Sequence, residues 1–140
     1  MLGKINLLAA GLLWGWVMLS AAPGLGDSGF IAGVTDLPLM PGLREIPEAT
    51  LIFDKPDGRL VRATATVERA DGGADGGAAA KLWRFYGATL PQLGWRQRGR
   101  GSNQGGGWGE YFRDGEVLRI EVEKNDSILT VRFAIAPGSE

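Results

Sequence analysis

Residues 116–135 read EVLRIEVEKNDSILTVRFAI, and the alternation in this stretch decides the fold. Leu118, Ile120 and Val122 alternate with Arg119, Glu121 and Glu123. After a polar turn at residues 124–127, Leu129, Val131, Phe133 and Ile135 alternate with Thr130 and Arg132. A period of two with one apolar side marks strands that bury one face and wet the other. Upstream, residues 59–68 repeat the pattern: Val61, Ala63, Ala65 and Val67 against Arg62, Thr64, Thr66 and Glu68. Residues 49–53 (ATLIF) are β-prone, and Asp54-Lys55-Pro56-Asp57-Gly58 between the two runs is a turn. Proline presets one turn dihedral and Asp-Gly tolerates positive φ, so the pair reads as a hairpin. Asp114-Gly115 is a second, two-residue hairpin signal.

Between the strand runs the period changes. Leu82, Phe85, Tyr86, Thr89, Leu90 and Leu93 recur at steps of three and four, one stripe of an amphipathic helix over residues 78–93. Asp75 lies in the expected N-terminal cap region, Pro91 bends or closes the last turn, and Gly94 is a C-terminal stop. The DGGADGG run at residues 71–77 is a flexible connection; it lacks the repeated GGxGxD of a calcium-binding nonapeptide. A strand begins at residues 95–98, is interrupted by residues 99–107 and resumes at residues 108–113. The expected order is ββαβββ. Half-apolar strands with one helix to cover them give an α+β two-layer sandwich, the helix packed on a mainly antiparallel sheet.

The N-terminus has a different logic. Lys4 is followed by an uncharged run at residues 5–22 and by Ala21-Ala22-Pro23-Gly24, the positive, apolar, small order of a secretory signal. Residues 1–24 are expected to be that signal, placing the remainder in the periplasm; the other reading is an uncleaved inner-membrane anchor facing the same space. Membrane contact is expected only through residues 5–22, if they stay uncleaved. Residues 25–48, with Pro38, Pro41 and Pro47, form an extended arm in which a regular strand is not expected. Leu37, Leu39, Met40 and Leu43 are its apolar contacts. The α+β domain then occupies residues 49–137. With no cysteine, no disulfide staples it, and burial must hold it together. Removing the signal would take the net charge from −1 to −2, because Lys4 is the only charge it carries. Such a balance does not suit nucleic acid, where a basic excess supplies most of the affinity.

Three segments carry a family resemblance: FDKPDGRLVRATATV at 53–67, WRFYGATLPQLGW at 83–95 and YFRDGEVLRIEVE at 111–123. They resemble a recurrent, uncharacterised small exported domain of Gram-negative bacteria, marked by a Phe-Tyr…Leu-Pro…Leu-Gly-Trp helix. The resemblance covers roughly residues 36–137. It implies an exported location and a sandwich fold, with no mechanism attached.

Histidine and cysteine are both absent, which removes the commonest general base, the thiolate nucleophile and the usual zinc ligands. Nucleophile-elbow, S-x-x-K and phosphate-loop patterns are missing too. Glu121 and Glu123 share a strand face as a carboxylate hydrolase would need, but their alternation with core residues points them into water. The expectation is a non-catalytic accessory or protein-interaction module, with no catalytic residues, cofactor or metal. Its partner would be an envelope protein contacted along a sheet edge, on the polar sheet face (Arg62, Thr64, Thr66, Arg119, Glu121, Thr130, Arg132) or at Trp83. The alternative is a small anionic or sugar-like ligand. It would sit on Arg96, Arg98 and Arg100 in a Gly-rich loop bracketed by Trp95 and Trp108. Against it stands a solvated hairpin end with both Trp rings helping to close the core.

Overall fold

The computed structural model describes residues 29–68, 77–103 and 106–139. The expected export signal and the 71–76 part of the Gly-rich connection, Asp75 included, lie outside the described residues. Among those residues the strands are β1 (Arg44–Glu45), β2 (Leu51–Lys55), β3 (Gly58–Glu68), β4 (Arg96–Asn103), β5 (Gly106–Arg113), β6 (Glu116–Lys124) and β7 (Ile128–Pro137), with one helix, α1 (Gly77–Thr89). They form a single antiparallel sheet in the order β1-β3-β7-β6-β5-β4, and β2 also pairs with β3. The first edge is therefore made of two short strands end to end, β1 opposite Ala65 and Thr66 and β2 opposite residues 58–62.

Two differences from the sequence reading have physical causes. First, residues 99–103 and 106–107 are ladder rather than interruption. Gly99 pairs with Glu110, Arg100 with Gly109 and Gly101 with Trp108, after a bulge between Gln97 and Gly99. The helix is thus followed by four strands instead of three. Glycine depresses strand propensity, and that masked the pairing. What rescues it is aromatic cover on both faces. On one face the Trp108 indole lies over Gly99 and Gly101; a Cβ at Gly101 would stand 2.6 Å from its Nε1. On the other, the Trp83 indole lies over Gly107 and Gly109; a Cβ at Gly109 would stand 3.0 Å from its Cζ3. Second, the arm contributes the two-residue strand β1, because Pro41 and Pro47 flank a stretch whose N–H groups are free to pair.

The glycine shelves give a test with opposite signs. Gly101→Val and Gly109→Val are each expected to cost about 1–3 kcal/mol, since the rings must move off the strand. Gly87→Ala, on the exposed side of α1 with open space around it, is expected to add about 0.5–1 kcal/mol. Thermal melts of the three variants measure both.

The helix stripe packs as the spacing requires, with Leu82, Tyr86 and Leu90 fully buried. α1 ends at Thr89 because Pro91 cannot continue it. A 3-10 turn, Leu90–Leu93, closes on Gly94 at φ 86°, whose N–H bonds the Pro91 carbonyl. The chain then drops Trp95 into the core, fully buried, its indole N–H without an acceptor among the described residues. Between β5 and β6, Asp114 (φ 48°) and Gly115 (φ 79°) make the left-handed pair of a two-residue hairpin.

The helix and the arm share the inner face of the sheet. Ile31, Val34, Leu37, Leu39, Met40 and Leu43 of the arm join Val61, Ala63 and Ala65 of β3, Leu118 and Ile120 of β6, and the β7 row from Leu129 to Ile135 in one apolar cluster. Polar bonds fix the arm in place. The Tyr86 hydroxyl donates to the Pro38 carbonyl at 2.9 Å, and the Glu45 carboxylate accepts from the Ala32 N–H at 2.9 Å and the Thr50 hydroxyl at 2.6 Å. At the β3 start Asp36 accepts two bonds from Arg59, at 2.9 and 2.6 Å, and another from Arg113.

Candidate functional site

Among the described residues the opposite, outer face of the sheet has no such cover. Arg62, Thr64, Thr66, Arg119, Glu121, Thr130 and Arg132 all point there, as their pairing with the inward row dictates. Its charges are matched around Trp108, while Arg62 meets no carboxylate among the described residues. Arg119 Nε donates to Glu121 at 2.7 Å and its guanidinium reaches Glu110 at 3.5 Å; Arg132 meets Glu123 at 2.8 Å. Trp108 stands among them, half-buried, with the Arg119 guanidinium 4.9 Å above its ring. Glu121 and Glu123 are thus each tied to a different arginine. Ladder pairs of this kind contribute a few tenths of a kcal/mol apiece and explain the face without a ligand.

The three arginines of β4 do not form one site. Arg96 leans over Phe112 at 5.7 Å and Arg98 faces Glu110 at 3.7 Å while bonding the Ser139 carbonyl, both on the outer side. Arg100 is on the inner side, its guanidinium 4.7 Å over the Trp83 ring. The bulge at Gln97–Gly99 supplies the change of side. Trp95 is a core residue, covered by Arg113 at 4.3 Å, so only Trp108 of the expected aromatic pair is at the surface. Sequence reasoning offered Trp83 as a partner contact but missed that Arg100 stacks on it, because a bulge is not visible in a glycine run.

Two features were not singled out in the sequence. One is the charge cluster Asp36, Arg59, Arg113 and Glu116, with side chains only 17–24% exposed. Burial raises the Asp36 pKa, but hydrogen bonds from Arg59 and Arg113 outweigh it and hold the carboxyl at about 2 against an ordinary 3.8. With two cations and two anions it is self-satisfied and ties the arm to the sheet. The other is β2. Leu51, Ile52 and Phe53 are 44%, 38% and 52% exposed, and Phe30 and Ile46 are also exposed. The signal was present, since an apolar run without alternation in an edge strand has no second face to bury.

No group of three or more metal-ligating side chains converges among the described residues, and none of their helices is long and apolar enough to cross a membrane. No family model, curated protein or solved structure matches the chain.

Proposed function

We propose that the protein is a non-catalytic accessory module of the bacterial periplasm that takes an extended segment of an envelope protein along β2. The observation that supports this is the apolar edge: three consecutive large side chains exposed beside a row of backbone groups that no other strand pairs among the described residues. Such an edge is a template for strand addition, and proteins usually blunt it with charge or proline. Here Leu51 and Phe53 lie opposite Arg62 and Leu60 on the outer side and Ile52 opposite Val61 on the inner. An incoming strand with aliphatic residues at alternate positions would cover both. The export signal expected at residues 1–24 supports the location, and the absence of histidine and cysteine supports a non-catalytic role.

A photo-crosslinking residue at Phe53 in intact cells, compared with one at Arg132 on the outer face, tests the reading. The expected result is one envelope protein joined through position 53 and not through 132, lost when Leu51→Lys and Phe53→Glu are combined. These exposed substitutions should change stability by no more than about 0.5 kcal/mol, so loss of capture would report the edge itself. A covalent homodimer through position 53 would replace the partner by a second copy; no product there would overturn the reading.

A further inference from the structure

Where the first half of α1 passes over the ends of β4, β5 and β6, the inner face leaves a groove of about 500 Å³. Its floor is Gly101, Gly106 and Gly107, its wall Ala79 and Ala80, and its polar groups are Arg100, Ser102 and Lys124. Each part is there for a reason. The strand registers align Val122, Gly107 and Ser102 in one row and Ile120, Gly109 and Arg100 in the next. Glycine at 107 and 109 lets the Trp83 indole lie flat, and the indole in turn carries the Arg100 guanidinium. Gly106, at φ 155°, has no room for a Cβ against the Val122 carbonyl, so the floor stays bare.

The charge here is unlike that around Trp108 on the outer face. Arg98, Arg119 and Arg132 each meet a carboxylate, whereas Arg100 meets none among the described residues and is held by an aromatic ring. Neither does Lys124, and among the described residues no acidic side chain lines the groove. Glu123, its neighbour in sequence, points to the other face and bonds Arg132. A guanidinium fixed by stacking keeps its N–H fork available, and a second cation with a hydroxyl stands across a floor of backbone.

We propose that this groove binds the phosphate monoester of a small organic molecule. Two unmatched positive charges suit a dianion better than a carboxylate, and the donors of Arg100, Lys124 and Ser102 outnumber the two oxygens a carboxylate presents. The volume lies in the range of small-molecule sites and holds a sugar- or glycerol-sized body against the alanine wall. The site is separate from the β2 edge, and neither reading depends on the other.

Calorimetric titration of the purified protein with glycerol 3-phosphate and glucose 6-phosphate, against glycerol and glucose, is the test. A second arm measures co-sedimentation with phosphatidylcholine vesicles with and without phosphatidic acid. Saturable binding of the esters and not of the neutral parents is expected, weakened at least about tenfold by Arg100→Ala combined with Lys124→Ala. Lys124→Glu alone, at an exposed strand end that the fold does not use, should weaken it as well. Arg62→Ala and the β2 edge variant should bind as the parent does. Binding to phosphatidic acid vesicles alone, lost in the same variants, would assign the phosphate to a lipid headgroup. Silence in both arms, or undiminished binding by Lys124→Glu, would overturn the proposal.

Discussion

Tyr86→Ala is expected to cost about 3–5 kcal/mol, a large part of what keeps a domain of this size folded. The ring is fully buried at the point where three layers of contact meet. It stacks edge-on with Phe133 of β7 at 5.6 Å and with Phe85 at 5.0 Å, and its hydroxyl holds the arm through Pro38. Truncation opens a cavity between helix and sheet and frees the arm together. Tyr86→Phe separates the two contributions. It keeps the packing and leaves the buried Pro38 carbonyl without its donor, for an expected cost of about 1–2 kcal/mol. Urea titrations of the pair measure both. Equal losses in the two variants would mean that the arm contact, not the aromatic packing, holds the helix down.

The second large effect is expected at Arg113. Its guanidinium bonds Asp36 and the Leu93 carbonyl (3.0 Å), comes within 3.8 Å of Glu116 and covers the Trp95 ring. Arg113→Ala leaves two half-buried carboxylates sharing Arg59 alone and uncovers the largest core side chain. A loss of about 3 kcal/mol is expected, at the low end for a broken buried ion pair because the cluster is partly wet. The same cluster makes stability acid-sensitive. The Asp36 carboxyl keeps its charge down to about pH 2 when folded and takes a proton near 3.8 when unfolded. Between those values the unfolded chain binds more protons, so stability falls as pH drops from about 4 towards 2. Asp36→Asn should be less stable at neutral pH and should show a shallower slope in that window. Circular dichroism melts across an acid series follow this, and an unchanged slope would remove Asp36 from the account.

The strand faces were legible in the sequence because a period of two is imposed directly by burial. Val61, Ala63 and Ala65, the Leu118–Val122 row and the Leu129–Ile135 row all point inward as their spacing requires. The helix stripe and its stop at Gly94 were legible for the same kind of reason, since Pro91 and a left-handed glycine leave the backbone little choice. Strand order was not. That β3 lies beside β7 depends on which edges meet in space, and no local period encodes it. Strands at 95–98 and 108–113 were expected, but the glycine-rich parts of β4 and β5 were hidden because what covers them, Trp83 from the helix and Trp108 from the neighbouring strand, is set by tertiary packing. The candidate sites were half visible. Trp83, Arg100, Trp108, Arg119 and Arg132 stood out by residue type, but only the bulge and the register show that Arg100 joins Trp83 while the others face the opposite way.

The β3–β7 ladder, with Val61 opposite Ile135 and Val67 opposite Leu129, also bears on how quickly the chain folds. β4 to β7 form a meander of neighbouring hairpins, which need close only short loops. The ladder to β3 joins segments on either side of the helix and the whole meander, so it must close a long one. Folding speed falls as contacts become more distant in sequence, and this closure is the slow step the topology imposes. Before it, the apolar row of β3 and the free edge of β7 are both bare. A nascent chain is therefore open to chaperones and to aggregation until β7 emerges, and the native state then locks in a single late event.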